Sequence, residues 1–138
     1  MENSSKALGY LSLARKGGLA ELGEEPVGAV SRTGKAYVVL VASDASDHTW
    51  RRAKSFVAGT DQQCIRLDVT KDEMGFAIGR TSLAIAAITD VQLALALVKS
   101  LTRPEPQALE VLSAKAEKAK KRRSEAKAHQ RNLRKGKK

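Results

Sequence analysis

The sequence predicts an α/β protein, a three-layer α/β/α sandwich built around a central four-stranded sheet. Two continuous apolar runs, residues 36–42 and 83–89, have the length and apolarity of strands that are covered on both faces. Segments with the apolar spacing of helices alternate with strand patterns along most of the chain. Such alternation places helices on both faces of one sheet. The pattern does not predict the order of the strands within that sheet.

The elements of the first half follow from apolar spacing and from glycines. Leu8, Leu11 and Ala14 lie on one side of a helical pattern. Because glycine is favoured just past the end of a helix, Gly17 and Gly34 mark the ends of the first two helices. The predicted order here is helix 6–16, strand 19–22, helix 26–33 and strand 36–42.

The second half repeats this alternation. Asp44, Ser46 and Asp47 are residues that favour a helix N-terminus, and Asp90 is a fourth. The short fourth helix ends at Gly79. In chain order we expect a helix to about residue 58, strand 64–69, helix 71–79, strand 83–89 and a helix that ends near residue 101.

Two prolines divide the chain into a body, residues 1–103, and a tail, residues 104–138. Pro104 and Pro106 each disfavour the α conformation in the residue before them, so the last helix of the body ends before them. The body holds 13 Lys and Arg against 11 Asp and Glu, whereas the tail holds 12 against 4. Of the formal net charge of +10, +8 therefore belongs to the tail. Such a charge run is typical of an arm that binds nucleic acid.

The tail is rich in alanine, glutamate, lysine and arginine, which favour a helix over residues 107–128. Its apolar stripe is weak and would dock only loosely on the body; it consists of Leu109, Leu112, Ala116 and Ala119. Residues 131–138 hold almost no apolar side chain and are expected to be disordered in the free protein.

Composition favours a soluble, non-catalytic protein of the cytoplasm. The first ten residues lack the pattern of a secretory signal, and no apolar run approaches the roughly 20 residues that span a bilayer. Cys64, the one cysteine, cannot form a closed zinc site with His48 and His129. The glycines have no phosphate-binding spacing, and the GxxxG pattern of Gly75 and Gly79 indicates close packing and a helix stop. We therefore expect neither an enzyme nor a cofactor.

The order of the motifs resembles one family. The segments LGYLSLARKGGLAELGEEPVGAV and KDEMGFAIGRTSLAIAAITD are similar to the kink-turn RNA-binding ribosomal protein superfamily, the L-seven-Ae class. The likeness is strongest to its small bacterial members of the YlxQ type. It covers about residues 7–101 and leaves the tail out. The resemblance implies an α/β/α sandwich that binds ribosomal or other structured RNA.

In the RNA-binding members of that superfamily, the second helix begins with a Gly-x-Asn-Glu-x-x-Lys pattern. Its Asn and Glu read sheared guanine–adenine pairs, and its Lys meets phosphate. Gly23 matches the glycine of this pattern, whereas Glu25, Pro26 and Ala29 stand at the other three positions. The resemblance therefore implies where the site lies, but with different side chains in it.

The superfamily also uses a hydrophobic loop before its last strand, which packs on a flipped-out nucleotide. This loop matches residues 78–84, with Arg80, Thr81 and Ser82 at its tip. The tip is more polar here than in the superfamily, and Arg80 is a candidate phosphate contact.

Glu24 and Glu25 permit two interpretations. Carboxylates complement the positive end of a helix dipole and proline is favoured at the first helical position, so helix initiation at Pro26 accounts for the stretch by itself. A helix N-terminus can also hold a phosphate, and a glutamate can accept a hydrogen bond from a cytosine amino group. Since two carboxylates repel phosphate, base contact is the function we would expect of them.

These observations predict a non-catalytic RNA-binding protein, ribosomal or ribosome-associated, that acts as a monomer. Its expected partners are structured RNA, above all ribosomal RNA, and ribosomal or translation proteins. The alternative is a protein-interaction adaptor in translation whose body has lost RNA readout and whose tail binds nucleic acid non-specifically. The predicted RNA-binding residues are Gly23, Glu24, Glu25, Gly28, Arg32, Lys35, Arg80, Thr81, Ser82, Lys120, Lys121, Arg122 and Arg123.

Overall fold

Helices and strands alternate along residues 2–136, the part of the chain that the structure, a computed structural model, describes. Side chains are described over residues 5–130. The helices are α1 (Glu2–Lys16), α2 (Glu24–Arg32), α3 (Asp47–Val57), α4 (Lys71–Ala77), α5 (Val91–Lys99) and α6 (Pro106–Gly136). The strands are β1 (Ala20–Leu22), β2 (Val38–Val41), β3 (Gln63–Arg66) and β4 (Ile85–Ile88).

The four strands form one sheet in the order β1-β4-β2-β3. β2 pairs in parallel with β3, and β4 runs antiparallel to both β1 and β2. Every residue of β2 and β4 is buried, as expected for strands that lie at the centre of a sheet covered on both faces. The two continuous apolar runs of the sequence are thus the two central strands.

Helices cover both faces of the sheet, which confirms the predicted three-layer sandwich. α2 and α3 pack on each other, with Val27 and Ala53 in the core. α1 packs against α4 and α5 in the other layer, and α6 lies along α5. Leu11, Met74 and Leu97 from this second layer are fully buried.

The predicted elements are present, with ends that differ by a few residues. α2 begins at Glu24, so Pro26 is its third residue and not its first. Proline is tolerated there because the first four N–H groups of a helix have no partner within it. β3 ends at Arg66, although Leu67 and Val69 are buried. The apolar runs predict longer strands than form, because burial extends beyond the ladder of backbone hydrogen bonds.

The first turns of α6 belong to the core, where the sequence predicts only loose docking. Ala108 and Leu112 are fully buried, and Ala116 is 6% exposed. All three lie in the same hydrophobic cluster as the residues of α5 and the sheet. The charge of the chain therefore changes at residue 104, but the hydrophobic core of the body continues past it into the first turns of α6.

α6 also continues further than predicted, to Gly136. Residues 131–136 are helical and not disordered, because each residue added to an existing helix gains a backbone hydrogen bond without a new nucleation step. Residues 137–138, and the side chains from 131 onward, lie outside the described part. None of the helices described is both long enough and apolar enough to cross a bilayer.

The strand register gives the sheet two ends. Val41 pairs with Ile85 at one end of the central strands, and Val38 pairs with Ile88 at the other. We call the first the loop end, because the loop between α4 and β4 leads into it. We call the second the tail end, because Lys115 of α6 lies there, over the ring of Tyr37.

Candidate nucleic-acid interface

α2 begins beside the first residue of β4, at the loop end. The N–H of Gly23 donates to the carbonyl of Ile85 over 3.0 Å, which ties the turn before α2 to the sheet. Gly23 has a φ of 96°, a left-handed conformation that glycine adopts without the steric cost of a Cβ. No described side chain caps this helix, so its first N–H groups remain open to a ligand.

The two glutamates at the start of α2 differ in their surroundings. The carboxylate of Glu24 lies 3.8 Å from Nε of Arg52 on α3, and this guanidinium lies over the ring of Phe56. Glu25 is exposed. Glu24 is therefore paired within the protein, and Glu25 is the carboxylate that a base could reach.

The loop tip lies against α4 because Gly75 has no side chain. A Cβ at Gly75 would lie 2.6 Å from the backbone nitrogen of Ser82 and 2.9 Å from the carbonyl oxygen of Arg80, closer than real atoms approach. The N–H of Arg80 donates to the carbonyl of Gly75 over 2.8 Å, and that of Leu83 donates to Lys71 over 3.0 Å. The close packing predicted from the GxxxG pattern is confirmed, and it holds the loop in place.

The start of α2 and the loop tip both border the first residue of β4. Gly23 bonds to Ile85, and the loop runs directly into that residue. Six predicted residues are thus brought to one edge, which we call the loop-end site: Gly23, Glu24, Glu25, Arg80, Thr81 and Ser82. Their role in RNA binding stays a prediction.

The N-terminus of α4, at the same end, is closed by side chains. Thr70 accepts from the N–H of Glu73, and the Glu73 carboxylate accepts from the N–H of Thr70, a capping box. Asp44 accepts from the N–H of Lys71 over 2.8 Å. Asp44 therefore caps α4 and not α3 as predicted, whereas Ser46 caps α3. These contacts use donors that a phosphate would need, so this helix start is closed to one.

Phe76 is the residue at this end that the sequence interpretation missed. It follows Gly75 on α4 and is 86% exposed, whereas Met74 is fully buried. An exposed aromatic side chain of this kind is informative, because it leaves a large apolar area in water. The available signal was helical geometry: Met74 and Ile78 face the core one turn apart, so position 76 lies on the opposite side.

The structure corrects the prediction for Gly28. This residue is buried in α2, where a Cβ would lie 3.0 Å from the ring of Phe56. The glycine allows α2 and α3 to approach each other closely. Gly28 is therefore a packing residue, out of reach of RNA.

Arg32 and Lys35 lie away from the loop-end site. α2 starts at the loop end, and its 9 residues rise about 13 Å to Arg32. Lys35 follows the helix and precedes Ala36, whose N–H donates to the side chain of Gln62 just before β3. Both cations therefore belong to the tail end.

The predicted residues of the tail lie at the tail end as well. Arg122 and Arg123 border a shallow hollow together with Tyr37 and Thr89, which flank the starts and ends of the central strands there. Lys120 and Lys121 are exposed on the preceding turn of α6. Apart from Gly28, the predicted RNA-binding residues therefore form two groups at opposite ends of the sheet.

The potential nucleophiles and bases are dispersed. Burial raises the pKa of the Cys64 thiol from 9.0 to about 11, and nearby Lys54 offsets only part of this effect. His48 and His129 are exposed on two different helices. Within the described residues, no three His, Cys, Asp or Glu side chains are grouped as a metal site requires.

No family model matches the sequence, and no curated protein does. The fold is similar to that of a protein of unknown function from Bacillus halodurans, with a TM-score of 0.64 and 23% identity over 69% of this chain and 95% of that one. It is also similar to the Giardia lamblia 15.5kD RNA binding protein, with a TM-score of 0.58 and 18% identity over 78% of this chain and 91% of that one. At these identities the likeness establishes a shared fold.

Proposed function

We propose that the protein is a non-catalytic RNA-binding protein that recognises structured RNA through the loop-end site. The observation that carries this proposal is the junction of the α2 start with the loop tip. The bond from Gly23 to Ile85 and the contact of Gly75 with Ser82 hold these two segments beside one strand. They match the two places where the kink-turn superfamily contacts RNA, as the resemblance implies.

The similarity to the Giardia lamblia 15.5kD RNA binding protein supports RNA as the class of ligand. We extend the proposal to the YlxQ-type branch of the superfamily, to ribosomal RNA as the target and to action as a monomer in the cytoplasm. The basic residues of α6 would add phosphate contacts, which raise affinity and carry little sequence information.

The groups at the loop-end site suit nucleotides in different ways. Gly23 lets a nucleotide approach the backbone, and the open N–H groups of α2 can donate to it. The carboxylate of Glu25 accepts from base amino groups, and the guanidinium of Arg80 donates to phosphate or guanine. The hydroxyls of Thr81 and Ser82 can bond to phosphate and sugar oxygens.

The adaptor alternative is favoured by one observation. Exposed carboxylates of Glu25, at the start of α2, and of Asp72 and Glu73, in the first turn of α4, lie at the same end of the sheet as the exposed guanidinium of Arg80. Carboxylates at the starts of α2 and α4 disfavour a phosphate at those two places, which favours either an RNA that presents bases there or a basic protein partner. A direct binding experiment separates these two functions.

The experiment measures binding of the full chain to a kink-turn RNA and to a straight duplex of equal length, at two salt concentrations. We expect tighter binding of the kinked RNA at both concentrations, because contacts that depend on shape respond less to salt than phosphate contacts do. Equal affinity for the two RNAs would rule out the loop-end proposal and favour the adaptor.

A double variant then locates the site. Arg80→Ala with Thr81→Ala should reduce the preference for kinked RNA about tenfold, as expected for the loss of one good base or phosphate contact. The matched control, Arg51→Ala with Ser55→Ala, removes the same two groups from exposed positions on α3. An unchanged preference in the first variant would remove the loop from the site.

A further inference from the structure

Exposed cations from three helices converge on the tail end of the sheet. The last turns of α1 and α2 carry Lys and Arg, and α6 adds four more where it passes this end. The exposed cations are Arg15 and Lys16 on α1, Arg32 and Lys35 at the end of α2, and Lys120, Lys121, Arg122 and Arg123 on α6.

Backbone hydrogen bonds place the ends of α1 and α2 at the same end of the sheet. The carbonyl of Leu19, three residues after the end of α1, accepts from the N–H of Thr89 over 2.8 Å. The carbonyl of Tyr37, two residues after Lys35, accepts from the N–H of Gln63 over 3.2 Å. Thr89 directly follows β4, and Tyr37 directly precedes β2, at the end where Val38 pairs with Ile88. The segments that follow both helices are thus hydrogen-bonded at the tail end of the sheet.

Side-chain contacts fix the position of α6 at this edge. Nζ of Lys115 lies 2.7 Å from Oδ1 of Asp61 and 5.4 Å from the centre of the Tyr37 ring. The side-chain amide of Gln92 donates to the carbonyl of Ala116 over 3.3 Å. Less than two turns later, α6 brings its four exposed cations past the same edge.

Two carboxylates from other elements at this end are already engaged. Asp61 accepts from Lys115, and Asp90 accepts from the N–H of Leu93 as the N-cap of α5. Glu117 and Glu125 are exposed on α6 within about one turn of its four cations, and the eight exposed cations of the tail end outnumber them. The exposed charge at the tail end is therefore predominantly positive, whereas the loop end carries the exposed carboxylates of Glu25, Asp72 and Glu73.

We propose that the tail end is a second RNA-binding surface, which holds the phosphates of a different RNA segment from the one at the loop-end site. The choice of RNA as ligand rests on the proposed function. The two surfaces lie at opposite ends of α2, about 13 Å apart along its axis. The protein would thereby join two RNA segments, with shape recognised at one end and phosphate charge neutralised at the other.

An anionic membrane would need a feature that this surface lacks. Helices that lie on a bilayer bury an apolar face among the lipids. Between residues 120 and 130, the apolar side chains of α6 are only those of Ala126 and Ala128. Cations spread along a helix without an apolar face suit the repeated phosphates of a nucleic acid backbone.

The first test measures the salt dependence of RNA binding. A variant with Arg32→Gln, Lys35→Gln, Arg122→Gln and Arg123→Gln should lower the slope of log K against log salt by about 3 in magnitude, the value for four lost phosphate contacts. Its affinity for the kink-turn RNA at the loop-end site should be kept, so its preference for kinked RNA over the duplex should not fall. An unchanged slope would overturn the proposal, and so would loss of the preference together with the slope.

The control variant makes the same change of net charge elsewhere. It carries Lys6→Gln, Arg51→Gln, Lys99→Gln and Arg103→Gln, all at exposed positions. Its slope should fall much less than that of the tail-end variant. An equal fall would show that total charge is responsible and would overturn the proposed surface.

The second test asks whether the full chain binds two RNAs at once. The protein is mixed with a kink-turn RNA and a straight duplex, and the masses of the complexes are measured. One complex should contain one protein chain, one kink-turn RNA and one duplex. The tail-end variant should lose the duplex from this complex. Displacement of the kinked RNA by the duplex would indicate one shared site and overturn the proposal. Binding to phosphatidylglycerol vesicles that displaces the duplex would overturn it in favour of a membrane.

The two proposals can fail separately. If the protein shows no preference for kinked RNA but the tail-end variant loses its salt slope, the loop-end function is wrong and the phosphate surface stands. If the preference is present and the slope is unchanged in that variant, the phosphate surface is wrong and the loop-end function stands.

Discussion

The loop end and the tail end of the sheet are built on different principles. At the loop end, backbone contacts fix the shape: Gly23 is bonded to Ile85, and Gly75 receives the turn at Ser82. At the tail end, cations on the ends of several helices share one edge, and their charge exceeds that of the nearby carboxylates. Shape can discriminate between folded RNAs, whereas charge mainly supplies affinity. Under the two proposals, the loop end would select the RNA and the tail end would add affinity.

α6 takes part both in the hydrophobic core and in the charged tail end. Its first turns bury Ala108 and Leu112 in the core, and its later turns carry the exposed cations. The charge of the tail is therefore held in a defined place by the same helix that completes the body. Four predictions can break or sharpen this comparison, beginning with the packing of α6.

Leu112→Ala tests whether α6 is part of the core. Leu112 is fully buried, so its truncation should lower the free energy of unfolding by about 3 kcal/mol, from lost burial and the cavity left behind. Urea denaturation measures this change. Lys118→Ala, exposed on the same helix, is the control and should change it by less than about 0.5 kcal/mol. A loss below about 1 kcal/mol for Leu112→Ala would mean that α6 docks loosely after all.

Gly75→Ala tests the backbone contact that shapes the loop end. The new Cβ would collide with the backbone of Ser82, so we expect a loss of about 2 kcal/mol in stability and of the preference for kinked RNA. Gly9→Ala is the control, since a Cβ at Gly9 on α1 meets no atom within 4 Å. That change should stabilise the helix by about 0.5–1 kcal/mol. If Gly75→Ala keeps the preference for kinked RNA, the conformation of the loop is not needed for RNA recognition.

Phe76→Ala tests whether the exposed ring at the loop end contacts RNA. Because the side chain is 86% exposed, thermal stability should hardly change. Affinity for an RNA with an unpaired nucleotide beside the kink should fall about tenfold, as expected for the loss of one base stacked on an aromatic ring. Leu13→Ala, at an apolar residue of α1 that is 55% exposed, is the control. Equal affinities for Phe76→Ala and the original protein would place Phe76 outside the interface.

Cys64, on the strand at the sheet edge, should affect stability only at high pH. Below pH 9 the thiol is neutral in the folded and the unfolded chain. Between pH 9 and the folded pKa of about 11, the unfolded chain releases its proton while the folded chain keeps it, so stability falls as the pH rises. Cys64→Ala should flatten this part of the pH profile. A reaction with thiol reagents whose midpoint lies near pH 9 would contradict the raised pKa.

Local patterns in the sequence predict most of the fold. The continuous runs at 36–42 and 83–89 indicate buried strands because they leave no polar face. Ser46 and Asp90 predict helix starts because capping depends on residues within one turn. Asp44 was assigned to the wrong helix because its partner, the N–H of Lys71, is 27 residues away. Contacts over that separation have no signature in a local pattern.

The candidate site also has features that a local pattern predicts and features that depend on long-range contacts. The GxxxG pattern predicts that Gly75 packs closely, but not that Ser82 is the group it meets. The sequence places Arg32 and Lys35 at the far end of the second helix, but it does not predict that cations of α1 and α6 lie at that same end. The burial of Gly28 has no local signal, because the ring of Phe56 that covers it lies on another helix.

By itself the sequence determined which segments are helices and strands, where the charge lies along the chain, and that α6 has an apolar stripe. These properties depend on residues within one or two turns of each other. Only the tertiary structure decided that Leu112 is core, that Phe76 is exposed and that the cations of three helices share one end. Those outcomes depend on which surfaces meet when the sheet and its two helical layers pack together, and that choice is made by long-range contacts.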